Sequence, residues 1–542
     1  MKRTKNPAKE AEYRKRAADL VAQMTLHEKV SQMLSWAPAI ERLGIPAYNW
    51  WSEGIHGVGR AGTATVFPQA IGMAAAFDED MMEQVGNAIG VEARGKYNMC
   101  RAHGDRDIFK GLTVWAPNIN IFRDPRWGRG HETYGEDPFL TSRLGVRFVE
   151  GMQGDDPDYL QAAACAKHFA VHSGPESDRH HFNAIVSKQD LWETYLPAFR
   201  ALVKEAGVEA VMGAYNRTNG EPCCGSKTLL KDILRDKWHF DGHVTSDCWA
   251  IKDFHTGHMV TDGPVESVAL AVNNGCDLNC GDLYVYLEQA VAEGKLSEEK
   301  IDESLTRLYV TRMRLGMFDA ENQVPYNKVG YDVVDSAEMK ALNLKVADSI
   351  MTLLKNDGTL PLDKSKLHTV GVIGPNADSR KALLGNYEGT ASRYTTVLEG
   401  IEDYLGDDVK VRYSQGCHLY ADNIQGLAES NELMSEVKGV CEESDVVIAV
   451  LGLDAGLEGE DGDKPNLKLP GHQEEVLKAC VESGKPVVLV LLGGSALAVN
   501  YADEHASAIL EAWYPGARGG EAVARALFGE TNPQGKLPVT FY

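Results

Sequence analysis

The stretch FDGHVTSDCWAI (240–251) carries an apolar run to a single carboxylate, Asp247, flanked by Ser246 and Cys248 and followed by Trp249. Two readings compete at this point. Asp is a common N-cap for a helix that follows a strand, and barrel enzymes keep their catalytic carboxylates at the C-terminal ends of strands. A second acidic stretch, GLDAGLEGEDGDKPNLKLPGHQ, follows the apolar run VVIAVLG and holds Asp454, Glu458, Glu460, Asp461 and Asp463 among glycines. Its spacing is not that of a full EF-hand. Solvation or calcium binding competes with a mobile loop that swings a carboxyl group over a neighbouring site. Paired carboxyl groups on either side of a glycosidic bond are what glycoside cleavage requires, and a retaining mechanism sets them about 5–5.5 Å apart.

Three other stretches supply groups suited to a sugar. In YNWWSEGIHGVG, Tyr48, Trp50 and Trp51 precede Glu53, and His56 follows. Rings can stack on the C–H face of a sugar while the acid accepts from hydroxyls; a core aromatic cluster is the simpler alternative. In FRDPRWGRGHETYGEDP, Arg123, Arg126 and Arg129 stand three apart among Asp124, Glu132, Glu136 and Asp137. Most of these charges are expected to pair with each other, leaving one arginine to point into a pocket. In ACAKHFAVHSGPESDRHHFN, Lys167 and His168 end an apolar run and Arg179 follows. His168 and His172 are four apart, but there is no HExxH pattern to support a metal. The lysine, histidine and arginine suit a polyol better, and neither a metal nor a cofactor is expected.

These groups need elements to hold them. From about Ala18 to Phe318, short apolar runs alternate with helical stretches such as SKQDLWETYLPAFRALVKEA and KTLLKDILRDKW. This predicts βα units in a (β/α)₈-type barrel over residues 1–318. The polar, irregular stretch DAENQVPYNKVGYDVVDS opens a linker at 319–346. Residues 347–542 then present near-continuous apolar runs (TVGVIGPNAD, VVIAVLGLD, PVVLVLLGGS, ASAILEAWY), which predict an α/β sandwich with a mostly parallel sheet covered on both faces. VIGPNAD and LLGGSA lack both GxGxxG and a P-loop lysine, which argues against nucleotide chemistry. With Asp247 in one domain and the acidic loop in the other, a shared site is expected at their interface.

At 542 residues the chain suits two or three domains. A net charge of −23 argues against nucleic acid and anionic membranes as partners. Small oligosaccharides or aryl glycosides are the expected partners, and a homo-oligomer is compatible with the sequence. The basic N-terminus continues as a charged amphipathic helix with no apolar run, so neither a signal peptide nor a membrane span is expected. The ten cysteines include no metal-spaced CxxC pair. Reduced thiols in a cytoplasmic protein are the simplest account.

Taken in order, WWSEGIHGV, APNINIFRDPRWGRGHETYGEDP, ACAKHF, VMGAYNRTNGEP, VTSDCWAI and EGEDGDKPNLKLPG resemble glycoside hydrolase family 3 from about residue 15 to 542. The resemblance implies an exo-acting retaining β-glycosidase with Asp247 as nucleophile. Glu460, three before Asp463, would be the general acid/base, with Glu458 as its neighbour and competitor. Arg129, Lys167, His168, Arg179, Met212 and Tyr215 would line the first sugar subsite, joined by Glu53, Trp249 and Glu458. Two substitutions resemble the xylosidase branch of the family: Glu53 where many glucosidases carry Asp, and Cys248 directly after the nucleophile where they carry Trp. The longer Glu53 would crowd the space that a hexose hydroxymethyl needs, so xylo-oligosaccharides are the expected substrate and xylan degradation the expected context. β-Glucosidase or mixed arabinosidase activity is the alternative, and a catalytically inactive sugar-binding protein is the non-enzyme reading. AVHSGPESDRHHF lacks the His–Asp pair of the family's N-acetylglucosaminidase subgroup. Lys464 stands where the loop usually carries Arg. The sequence ends at GKLPVTFY, where many members of the family it resembles continue into a fibronectin-III-like domain.

Overall fold

A computed structural model describes residues 4–172, 174–420 and 430–542 of the chain. Two compact units emerge. The first comprises 1–64, 79–121 and 137–336, and the second 65–78, 122–136 and 337–542.

The first unit is built on β1 (Trp36–Ala37), β2 (Tyr48–Asn49), β3 (Thr113–Val114), β4 (Ala163–Phe169), β5 (Ala210–Gly213) and β6 (His243–Ser246). β3, β4, β5 and β6 form one parallel sheet in that order. Single bridges close it into a barrel. Thr245 pairs with Leu278 and Leu34 with Asn279, both parallel; β1 pairs antiparallel with β2, and Ser52 returns to Val114. The barrel is of the (β/α)₈ type, with its N-terminal staves shortened to bridges and one antiparallel pair. Every residue of β4, β5 and β6 is buried, as expected of strands covered on both faces.

Helices α1 (Pro7–Val21), α2 (Glu79–Ala102), α3 (Pro138–Gln153) and α4 (Glu298–Arg314) wrap this unit. Asn6 caps α1 by accepting from the Ala8 N–H, with Pro7 at its first position. Gly86 on α2 and Gly151 on α3 let the two helices touch; a Cβ at either would lie within 2.3 Å of a carbonyl oxygen on the other helix. Arg314 at the end of α4 binds Glu209, just before β5, through two bonds of 2.8 and 2.9 Å. The stretch that reads as the start of a linker lies along α2. Asn98 donates to the Tyr326 and Val329 carbonyls at 3.0 Å, and Glu92 accepts from the Asp335 N–H at 2.7 Å. Its prolines and glycines break regular structure, and side chains of α2 satisfy the backbone that this leaves open.

The second unit holds a six-stranded sheet of β7 (Thr352–Asn356), β8 (Thr369–Ile373), β9 (Lys410–Ser414), β10 (Val446–Gly452), β11 (Val487–Leu492) and β12 (Ala508–Glu511). The order is β7-β12-β11-β10-β8-β9, all parallel except β7 against β12. One face packs Val447, Ala449 and Leu451 against Val437, Cys441, Val476 and Cys480 of α5 (Ser430–Glu442) and α6 (Gln473–Glu482). Val446, Ile448 and Val450 on the opposite face are also buried. Among the described residues no helix is long and apolar enough to cross a membrane.

Candidate active site

In the barrel unit the expected residues gather at the C-terminal ends of the strands, where barrel chemistry is located. Asp247 directly follows β6. Its Oδ1 accepts from the Cys248 N–H at 2.8 Å, and its own N–H donates to the Gly213 carbonyl at 3.2 Å. The residues after it form turns, and the next helix starts only at Asp253, so Asp247 is not a helix cap. Lys167 and His168 stand near the end of β4, both buried. His168 Nε2 lies 3.7 Å from Asp247 Oδ2, and Lys167 Nζ lies 3.5 Å from Glu53 Oε2. Glu53 is buried and accepts from Trp51 Nε1 at 2.6 Å; Trp51 is itself stacked on Trp115. Met212 is buried within β5, in register with Thr245 of β6. Tyr215 lies just beyond β5 beneath Arg179, whose guanidinium is 5.0 Å from the ring and 3.1 Å from Glu176.

Sequence reasoning missed Asn120. Its Nδ2 donates to the His168 carbonyl, and its Oδ1 accepts from the His168 backbone N–H and faces Nδ1, each at 2.9 Å. With the amide nitrogen committed to a carbonyl, Oδ1 must be the acceptor, so Nδ1 carries a proton. Only the fold places Asn120 beside His168, 48 residues on.

The expectation of reduced thiols is overturned at Cys248, which forms a disulfide with Cys280. The two are 32 residues apart and match no short motif. The barrel joins them: the Trp249 N–H donates to the Cys280 carbonyl at 2.7 Å, and Ser246 Oγ accepts from the Cys280 N–H at 3.0 Å. Trp249 itself is 53% exposed.

The other expected residues, Arg129, Glu458 and Glu460, lie in the second unit. Arg129 is buried and binds Glu132 through a pair of bonds at 3.0 and 2.8 Å, with Nη1 3.5 Å from Glu460 Oε1. Burial works against its charge, but Glu132, Glu460 and Tyr387 outweigh that and hold the guanidinium well above its ordinary value. Its charge is thus spent first on Glu132.

The acidic loop is bonded to the body of its own unit. Glu458 is buried. It accepts from the Gly494 N–H at 2.5 Å, from Tyr514 Oη at 2.7 Å and from the Ser495 hydroxyl. Burial, then Glu458, push the Tyr514 phenol well above its ordinary value, so it remains a donor. Lys464 at the far side of the loop reaches the same segment, bonding the Ser495 hydroxyl and the Ala496 carbonyl. Burial lowers its ammonium pKa while Glu458 opposes the shift. The tip is closed by a Gly459–Gly462 bridge, and the Gly128 N–H donates to Asp463 at 2.9 Å. Both ends of the loop are therefore bonded to the body of the unit. Glu460 at the tip keeps a quarter of its side-chain surface exposed, whereas the oxygens of Glu458 serve as anchors. Glu458→Ala should lower unfolding stability by about 2–4 kcal/mol, because it strips Lys464 and Tyr514 of a buried partner. Urea unfolding checks this, and azide should not restore the variant's lost activity.

With this geometry in place, comparison with known proteins identifies the chain. Residues 16–311 match the glycosyl hydrolase family 3 N-terminal domain and residues 351–542 the glycosyl hydrolase family 3 C-terminal domain. Beta-D-xylosidase 1 of Arabidopsis thaliana is 39% identical over 97% of this chain and 68% of its own length. The xylan 1,4-beta-xylosidase of Xylanibacter ruminicola is 35% identical over 98% of this chain and 79% of its own. Among solved structures, a family 3 exo-beta-xylosidase in complex with a xylobiose aziridine probe superposes with a TM-score of 0.91 at 33% identity, covering 97% of this chain and 68% of that one. A beta-glucosidase from Listeria innocua in complex with isofagomine gives a TM-score of 0.84 at 29% identity, covering 97% of this chain and 76% of that one. The chain belongs to glycosyl hydrolase family 3 and is a glycoside hydrolase.

Proposed function

We propose that the protein is an exo-acting retaining β-glycosidase that removes a non-reducing-end xylose from xylo-oligosaccharides. Asp247 attacks the anomeric carbon and forms a glycosyl ester while Glu460 gives its proton to the departing oxygen. Glu460 then takes a proton from water, which cleaves the ester with net retention. The observation that carries this assignment is the contrast within the loop: Glu458 is locked in a buried network, and Glu460 is partly open. Lys167, His168, Glu53 and Tyr215 bind sugar hydroxyls and ring faces in this reading, with Arg179 and Met212 beside them.

Two features favour a pentose. Glu53 is held rigidly by Trp51 and Lys167, and a side chain one methylene longer than Asp reduces the space for a hydroxymethyl group. Cys248, tied to Cys280, occupies the position after the nucleophile. The xylosidase names of the relatives agree with this reading. β-Glucosidase or mixed glucosidase and arabinosidase activity is the second reading, favoured by the likeness to the Listeria innocua enzyme. A panel of aryl β-xyloside, β-glucoside and arabinoside tests the choice. The xyloside should have the highest kcat/KM, and a higher value for the glucoside would overturn the preference. Glu53→Asp should raise the glucoside-to-xyloside ratio about tenfold, within what pocket size alone can discriminate; an unchanged ratio would remove Glu53 from the explanation.

The setting is xylan degradation in this reading. Its small substrates are oligosaccharides or aryl glycosides. The Cys248–Cys280 disulfide supports action in an oxidising compartment over the expected cytoplasm, because reducing systems in the cytosol keep thiols unpaired.

A further inference from the structure

We propose that Tyr387 is the positioning residue for the acid/base Glu460. A glutamate at the tip of a glycine-flanked turn has three side-chain torsions to fix, and each costs entropy to order. Here its two oxygens have different partners: the Tyr387 hydroxyl donates to Oε2, and Arg129 Nη1 lies 3.5 Å from Oε1. The Arg129 guanidinium also sits 5.8 Å from the centre of the Tyr387 ring, so one buried cation steadies both groups. This assignment rests on reading Glu460 as the acid/base.

The segment that carries Tyr387 is built for this purpose. Tyr387 has φ +63°, a left-handed conformation that costs an aromatic residue energy and persists only where its surroundings impose it. Those surroundings are visible at the preceding residue. Asn386 Nδ2 donates to Glu132 at 2.9 Å, its backbone N–H donates to His131 Nε2 at 3.2 Å, and its carbonyl accepts from Gln69 at 2.9 Å. The backbone is thus held on three sides while the phenol is directed at Glu460. Nothing in LLGNYEGT marks the tyrosine, because its partner lies 73 residues further on.

The chemistry says when the contact matters. In the first step Glu460 loses its proton to the leaving oxygen and becomes a carboxylate. Tyr387 keeps its own proton and donates a hydrogen bond to the charge that develops. Leaving groups that need no proton should not register its loss. Tyr387→Phe should therefore lower kcat/KM about tenfold for an unactivated disaccharide or phenyl glycoside, the scale of one hydrogen bond to a charged group. For the 2,4-dinitrophenyl glycoside of the same sugar the change should be less than about twofold, since a good leaving group draws little on general acid catalysis. The activated substrate also reports whether the variant is folded. Asn386→Ala, which loosens the segment but leaves the hydroxyl, should show the same split at smaller size. Equal losses on both substrates, or none on either, in both variants would overturn the proposal. Glu460→Ala run in parallel separates the two readings. If it lacks the split, the acid/base assignment fails; if it shows the split and Tyr387→Phe does not, only the role of the tyrosine fails.

Discussion

Asp247→Ala should reduce turnover of the preferred aryl glycoside by on the order of 10⁵-fold or more, as removal of a covalent nucleophile does elsewhere. The fold should survive. The side chain is close to the barrel mouth and accepts from the adjacent Cys248 N–H, so the change leaves no large cavity in the core. A melting temperature near that of the unaltered protein would confirm this. The more telling readout is the product formed with added azide. With the carboxylate gone, azide can enter from the face that Asp247 occupied and displace an activated leaving group once, giving the α-glycosyl azide. Turnover that persists in Asp247→Ala would sink the nucleophile assignment.

Glu460→Ala makes a prediction of opposite stereochemistry. A glycoside with a poor leaving group should lose about 10²–10⁴-fold in kcat/KM, the range that general acid catalysis contributes. A dinitrophenyl glycoside should still form the glycosyl ester, and the ester should accumulate because no base activates water. Azide needs no deprotonation. It should restore the rate and yield the β-glycosyl azide by attack on that ester. The two variants together assign both carboxyl groups by the configuration of one product. If Glu458→Ala gave the rescued β-azide instead, the roles within the loop would be exchanged. The network around Glu458 predicts the reverse: a variant that loses stability and gains nothing from azide.

Much of the architecture and its chemistry was legible in the residues. The alternation of apolar runs and helical stretches marks a barrel-type unit and a sheet unit, because strands buried on two faces must be apolar throughout. Asp247, Lys167 and His168 are readable because each ends such a run, and a strand end in a barrel is a place for chemistry. The aromatics before Glu53 read equally as a core cluster, and its place in the site comes from the family resemblance.

Other features depend on contacts that local pattern does not encode. The arginine-rich stretch reads as part of the barrel half, yet residues 122–136 belong to the second unit, where Arg129 meets Glu132 and Glu460. The polar stretch after 318 reads as a linker until Asn98 and Glu92 of α2 are seen to satisfy its backbone. Glycines in the acidic loop suggest motion, because glycine costs nothing in an open turn. Glu458 and Lys464 cancel that freedom by bonding to the segment after β11, some thirty residues away.

The residue types along the chain were enough to establish the two α/β halves, the kind of chemistry and the nucleophile candidate. The two halves follow from periodicity, a local property, whereas the chemistry and the nucleophile candidate follow from the resemblance of six ordered motifs to glycoside hydrolase family 3. Tertiary structure alone decided which glutamate of the loop is an anchor and which is partly open, that Cys248 is joined to Cys280, that Asn120 meets His168, and that Tyr387 meets Glu460. Those outcomes are set by pairings between residues tens of positions apart. Only the folded chain brings such pairs within the few ångströms over which hydrogen bonds and charges act.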